Sequence, residues 1–108
     1  MQRGEVWWVD FGPAQGGEIQ KTRPAVIVSN DAANRHANRV QVVPVTSNAS
    51  KLYPCDSQIE IDDKLCRAMA DQLTTVAKHR LKERIGIARD MEIRCLEIAI
   101  RIQLGLAV

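Results

Sequence analysis

The sequence predicts a mainly β protein with some α structure, an α+β fold in which a small, strongly curved sheet or partly closed barrel carries one C-terminal helix. Three observations lead there. Short runs rich in β-branched and aromatic residues alternate with turns built from Gly, Pro, Asn and Asp. Two of those runs, Pro24 to Ser29 and Val40 to Val45, are apolar almost without a break, as strands buried on both faces are. Only Asp90 to Leu104 has the length and end signals of a substantial helix. At 108 residues the chain suits one domain spanning residues 1–108. A domain of that size leaves much surface exposed, so a core shared with a second subunit is a natural source of stability.

Glu5 to Phe11 (Glu-Val-Trp-Trp-Val-Asp-Phe) reads as the first strand, stopped by Gly12-Pro13. Gly12 to Thr22 contains three glycines and a proline among alternating charges, which predicts a flexible loop of the kind that often covers a site. Between the two apolar strands, Asn30 to Asn38 opens on an Asn/Asp cap signal followed by alanines, enough for about two helical turns or a structured loop. Gln58 to Ile61 and Cys66 to Ala70 are short strand candidates on either side of an Asp62-Asp63 turn. Lys78 to Ala88 is expected to turn and then pair as a last strand through Ile85 to Ile87.

The C-terminal segment satisfies two templates. Leu96, Ile98, Ile100, Ile102 and Leu104 alternate as in a strand, yet Asp90 is a good N-cap, Gly105 a good C′ residue, and fifteen positions suit a helix better. Projected at about 100° per residue, Met91, Cys95, Ile98, Ala99 and Ile102 form one apolar stripe, and Ile93, Leu96, Ile100 and Leu104 form a second. A helix lying on one sheet needs a single stripe. The second therefore calls for another partner, and a homodimer using Ile93, Leu96, Ile100 and Leu104 is expected.

The formal net charge of +2 is too small to argue for a polyanionic partner, but its distribution is uneven. Lys78, Arg80, Lys82, Arg84 and Arg89 stand against Glu83 alone, a local +4 that suits either a nucleic-acid backbone or a protected strand edge. Three cysteines without Cys-x-x-Cys spacing, and an N-terminus lacking an apolar signal region, fit a reducing cytoplasm. His36 and His79 have no zinc-like spacing with those cysteines, and no apolar run approaches a membrane span. Neither a metal, nor another cofactor, nor membrane insertion is expected.

The chain resembles the MazF/PemK family of toxins over nearly its whole length. The resemblance starts with Arg3-Gly4-Glu5-Val6-Trp7-Trp8-Val9-Asp10-Phe11 and runs through Gly17-Glu18-Ile19-Gln20-Lys21-Thr22-Arg23-Pro24-Ala25-Val26-Ile27-Val28-Ser29-Asn30 and Pro44-Val45-Thr46-Ser47. It continues with Asp71-Gln72-Leu73-Thr74-Thr75, Arg80-Leu81-Lys82-Glu83-Arg84-Ile85-Gly86 and Leu104-Gly105-Leu106, in the same order. That resemblance implies an SH3-like barrel of the MazF/CcdB type with a C-terminal helix, usually homodimeric. It also implies the toxin of a type II toxin–antitoxin system, cutting single-stranded RNA at short motifs and held by an antitoxin with an acidic C-terminal tail.

RNA can be cut without a metal because its own 2′-OH can attack the adjacent phosphorus. The protein must then supply a proton acceptor, donors for the phosphoryl oxygens and an acid for the departing 5′-oxygen. Arg23 stands at the mouth of a strand just after the glycine-rich loop, and its planar guanidinium matches phosphate oxygens; in the family the arginine of this Lys-Thr-Arg-Pro block is catalytic. Thr46, in Pro-Val-Thr-Ser, likewise carries catalytic weight in the family, although a threonine at a strand end ordinarily caps a turn. Glu18, in the same loop, is the candidate general base, its alternative role being a hydrogen bond to an RNA base. Some relatives use a histidine in the first loop, and this chain has none between Phe11 and Arg23.

Single-stranded RNA is gripped by stacking, by positive charge and by hydrogen bonds to splayed bases. Lys21, Ser47, Asn48 and Gln72 match positions near the family's RNA groove and offer suitable donors and acceptors. Trp7 and Trp8 point to opposite sides of their strand, so one is expected in the core. An alternative reading keeps the barrel and discards the reaction: a CcdB-like toxin that poisons a protein target such as DNA gyrase.

Overall fold

The computed structural model describes residues 1–12, 22–49 and 56–107. Among these, the strands are β1 (Glu5–Asp10), β2 (Thr22–Ile27), β3 (Arg39–Thr46), β4 (Asp56–Ile61), β5 (Lys64–Met69), β6 (Thr74–Ala77) and β7 (Leu81–Ile87), with helices α1 (Asp31–His36) and α2 (Asp90–Leu104). The sheet order is β4-β5-β3-β2-β1-β7, every pairing antiparallel, with β6 also on β3. The eight-residue β3 is the organiser. It pairs with β2 through Val42 to Pro44, with β6 through Arg39 to Val42, and with β5 only through Val45 and Thr46. Exchanging β6 for β5 along one strand bends the sheet into a barrel-like wrap, the mainly β architecture with a terminal helix that the sequence predicts.

The uninterrupted apolar runs follow from burial on both faces. Val26, Val43 and Val45 join one core with Val6, Ile59, Cys66 and Ala68, which α2 covers. Ala25, Ile27, Val40 and Val42 turn to the other face and join Val9, Val76 and Leu81. Alternation also splits the tryptophans: Trp7 packs against the second core and donates its indole N–H to Glu5 Oε1 at 2.9 Å, while Trp8 is exposed.

The helices form where their end signals lie. Asn30 caps α1 by accepting the Ala33 N–H at 2.8 Å. At the start of α2, Arg89 occupies the cap position and Asp90 is the first helical residue, one place later than the cap assignment from sequence. The capping work there is done by Glu92, whose carboxylate accepts the Arg89 N–H at 2.8 Å. Gly105, at φ 70°, donates to Ile102 O, and Leu106 donates to Arg101 O, a Schellman end that a left-handed glycine permits. Arg3 ties this helix to the barrel, reaching Val28 O at 3.0 Å and Glu97 at 2.7 Å.

The structure corrects the expected use of α2's faces. Leu96 is only 3% exposed and packs with Ala99 in the chain's own core, with Ile93 and Ile100 against it. Of the other stripe Ala99 is buried while Met91, Cys95, Ile98 and Ile102 are exposed, and of the expected stripe only Leu104, at the helix end, is exposed. The inward turn places the small Ala99 against the sheet and lets Leu96 fill the core, which contributes roughly 1.5–3 kcal/mol for a fully buried leucine. No helix among the described residues is long and apolar enough to cross a membrane.

Candidate active site

Register brings the two principal candidates together. β2 and β3 pair as Ile27↔Val42, Val26↔Val43 and Ala25↔Pro44. Continued by two residues, this register sets Arg23 opposite Thr46, on one face of the sheet. The recorded pairing stops at Ala25↔Pro44, where Pro24 and Pro44 lack N–H groups to extend the ladder. A groove of about 560 Å³ lies at these strand ends. Thr22, Arg23 and Pro24 line it from β2, and Val45, Thr46 and Ser47 from β3 and the turn after it; Trp8 adds its exposed ring.

The Arg23 side chain is partly buried, and its Nε has no hydrogen-bond partner among the described residues. A buried guanidinium N–H without an acceptor is costly, and such groups in native structures usually have a function or a missing ligand. Thr46 performs the turn role and keeps more in reserve. Its Oγ1 accepts the Asn48 N–H at 3.3 Å, leaving the hydroxyl proton to be donated elsewhere. The site therefore offers a planar cation and a hydroxyl side by side, a combination suited to holding the oxygens of a phosphoryl group.

Of the other residues singled out from sequence, Ser47 lines the groove, while Asn48 is exposed just past it and is held to Thr46 through its backbone. Gln72 ends the 3-10 turn Ala70–Gln72 after β5 and is not among the residues lining the groove. Glu18 and Lys21 lie outside the described residues. The chain leading toward them is pinned: Gly12 donates its N–H to Asp10 Oδ1 at 2.9 Å, and Arg80 Nη1 donates to Asp10 O at 3.1 Å. Gly12 has φ 78°, a left-handed turn at which a side chain would be strained.

His36 and His79 are exposed, on the last residue of α1 and on the 3-10 turn Lys78–Arg80, and neither lines the groove. The basic run divides its work. Lys78 donates to Asn34 O and Arg80 to Asp10 O, whereas Lys82 and Arg84 are exposed on the edge strand β7. Charges on an edge discourage pairing with another sheet.

Sequence reasoning missed one wall of the groove, formed by Ile61, Asp62, Lys64 and Cys66 of the β4–β5 hairpin. The Asp62-Asp63 turn was visible in the sequence, but its position depends on β5 docking beside Thr46 through the pairs Val45↔Ala68 and Thr46↔Arg67. Among the described residues, no group of three or more His, Cys, Asp or Glu side chains is placed to hold a metal ion.

Known proteins give this geometry a context. A family described as PemK-like, MazF-like toxin of type II toxin–antitoxin system matches residues 2–104. The chain is 41% identical to endoribonuclease MazF9 of Mycobacterium tuberculosis, with 98% of each chain covered. It is 35% identical to endoribonuclease MazF of Staphylococcus saprophyticus, covering 98% of this chain and 92% of that one. Among solved structures, a mycobacterial endoribonuclease in complex with its cognate antitoxin superposes with a TM-score of 0.84 at 27% identity, covering 100% of this chain and 98% of the other. Matched along almost its full length in sequence and in fold, the chain belongs to the PemK-like, MazF-like family of toxins of type II toxin–antitoxin systems.

Proposed function

We propose that this toxin is a sequence-specific endoribonuclease that cuts single-stranded RNA by attack of the 2′-OH on the adjacent phosphorus, without a metal ion. The observation that carries the reading is the groove that Arg23 and Thr46 both line, in which Arg23 Nε is buried without a partner among the described residues. In this scheme the Arg23 guanidinium binds the phosphoryl oxygens and meets the charge that builds on them in the transition state. Thr46 donates its hydroxyl proton to the same group. Glu18 takes the 2′-OH proton. The P–O5′ bond breaks as the 2′-oxygen bonds to phosphorus, and the departing 5′-oxygen takes a proton from water, leaving a 2′,3′-cyclic phosphate and a free 5′-OH. Ser47, which lines the groove, with Lys21, Asn48 and Gln72 as further candidates, contacts the RNA strand.

The toxin works in the cytoplasm and is restrained by a cognate antitoxin, as in the mycobacterial complex. It is a homodimer through the exposed α2 stripe Met91, Cys95, Ile98 and Ile102, which borders a groove of about 480 Å³ with Leu65. Relatives named as endoribonucleases favour RNA cleavage over poisoning of a protein such as DNA gyrase. The test is incubation with single-stranded RNA in excess EDTA, followed by end-group analysis. Cyclic phosphate and 5′-OH ends are expected; 5′-phosphate ends, or cutting that needs added magnesium, would refute the mechanism.

A further inference from the structure

We infer that Asp62 selects a base next to the cut, accepting a hydrogen bond from an exocyclic amine and so disfavouring uracil at that position; the inference rests on the RNA-cleavage reading of the groove. Asp62 and Asp63 form the two-residue turn between Ile61 and Lys64, with φ 52° and 62°. Two successive left-handed residues are what a type I′ hairpin needs, and Asn-Gly or Asp-Gly supplies them with least strain. Asp-Asp instead keeps a β-carbon and a carboxylate at both positions. Asp tolerates the left-handed region better than most side chains, so the turn accommodates both residues at modest cost.

Asp62 is also the one acid among the described residues lining the groove that holds Arg23 and Thr46. It is exposed, and among the described residues its carboxylate takes part in no hydrogen bond or ion pair. Lys64 and Arg23 are the cations lining the same groove, and Asp63 is the acid beside it in the turn.

An anionic side chain is repelled by the RNA phosphates, and with Glu18 assigned the 2′-OH proton, a base edge is the partner left for Asp62. There the four bases differ. Cytosine N4, adenine N6 and guanine N2 are amines that donate to a carboxylate, and guanine N1–H adds a second parallel donor. Uracil has no amine and flanks its single N–H with two carbonyl oxygens, which repel the carboxylate. With Arg23 and Thr46 on the scissile phosphate, Asp62 on the hairpin wall meets the base of a neighbouring nucleotide.

The experiment digests a single-stranded RNA pool of random sequence with the wild-type protein, Asp62→Asn and Asp62→Gly, and sequences the cut ends. Both replacements suit a left-handed turn position. The wild type is expected to disfavour uracil roughly tenfold at one position near the cut. In Asp62→Asn, whose amide can donate to a uracil carbonyl, uracil should rise to near parity at that position alone, and Asp62→Gly should lose the discrimination too. An unchanged motif in both variants would overturn the inference. Loss of all cutting by both would place Asp62 in the chemistry and overturn it as well. A wild-type protein that cuts no RNA would instead bring down the RNA-cleavage reading on which the inference rests.

Discussion

Replacing Arg23 by Met separates a catalytic arginine from a structural one, because the two roles predict opposite effects on stability. The Nε of Arg23 is buried without a partner among the described residues. An unsatisfied buried donor costs about 1–3 kcal/mol, and methionine keeps an unbranched stem while removing every N–H. Stability should therefore hold or rise by about 1 kcal/mol, which in a domain of this size moves Tm by roughly 4 °C. Cleavage should fall by about 10²- to 10³-fold, the loss of roughly 2.7–4 kcal/mol seen when one preorganised donor to a developing oxyanion is removed. The assay pairs thermal unfolding at fixed protein concentration with initial cleavage rates on one RNA. A variant that cuts at nearly the wild-type rate would move the phosphate contact elsewhere. One that loses several degrees of Tm would show that the guanidinium supports the fold.

Thr46→Ala should also lower cleavage by about 10²-fold or more while leaving Tm within a few degrees; near-normal rates in a folded variant would return Thr46 to a capping role. Cleavage should continue undiminished in EDTA. Ile98→Glu with Ile102→Glu places two charges on the bare face of α2 and should give a folded monomer by size exclusion with light scattering, whereas a variant that stays dimeric would move the interface elsewhere. Leu96→Ala, within the chain's own core, should instead cost about 2–5 kcal/mol in urea unfolding, and a loss below 1 kcal/mol would contradict its packing. Burial raises the pKa of Glu5 and Glu92, but hydrogen bonds from Trp7 and the Gln2 backbone, and from Arg89, outweigh it and hold both carboxyls below the usual range. Their contribution is thus fully present above the unfolded glutamate pKa of about 4.3 and is lost as pH falls through the lower folded values. Glu5→Gln with Glu92→Gln should flatten the drop in urea midpoint below pH 4.5; an unchanged slope would show that neither carboxylate is stabilised by folding.

How much was legible differs from element to element, and each difference has a physical cause. The span of α2 follows from local chemistry: fifteen residues of mixed apolar pattern, a first turn with Asp90 and Glu92, and Gly105 ready to adopt a left-handed end. β2 and β3 announce themselves because burial on both faces demands continuous apolar runs, and β1 by its aromatic and β-branched residues stopped at Gly12-Pro13. β6 was missed. Its four residues, Thr-Thr-Val-Ala, hold one buried apolar side chain, and β3 makes them a strand by supplying the partner ladder. The candidate site divides in the same way. The blocks around Arg23 and Thr46 resemble those of a family and so mark both residues in the sequence, whereas nothing near Asp62, Lys64 and Cys66 in the chain points to a groove.

By itself the sequence determined the mainly β fold with its terminal helix and the family, and it named Arg23 and Thr46 as the pair proposed to meet the phosphate. Those features are written in short-range periodicity and in ordered motif blocks. Only the tertiary structure decided which stripe of α2 turns inward and which hairpin walls the groove. Two apolar stripes of similar strength are equivalent until Leu96 and Ala99 meet a particular sheet, and a turn acquires neighbours only when β5 docks on the last two residues of β3. Both choices depend on contacts between residues far apart in the chain, which local pattern does not encode.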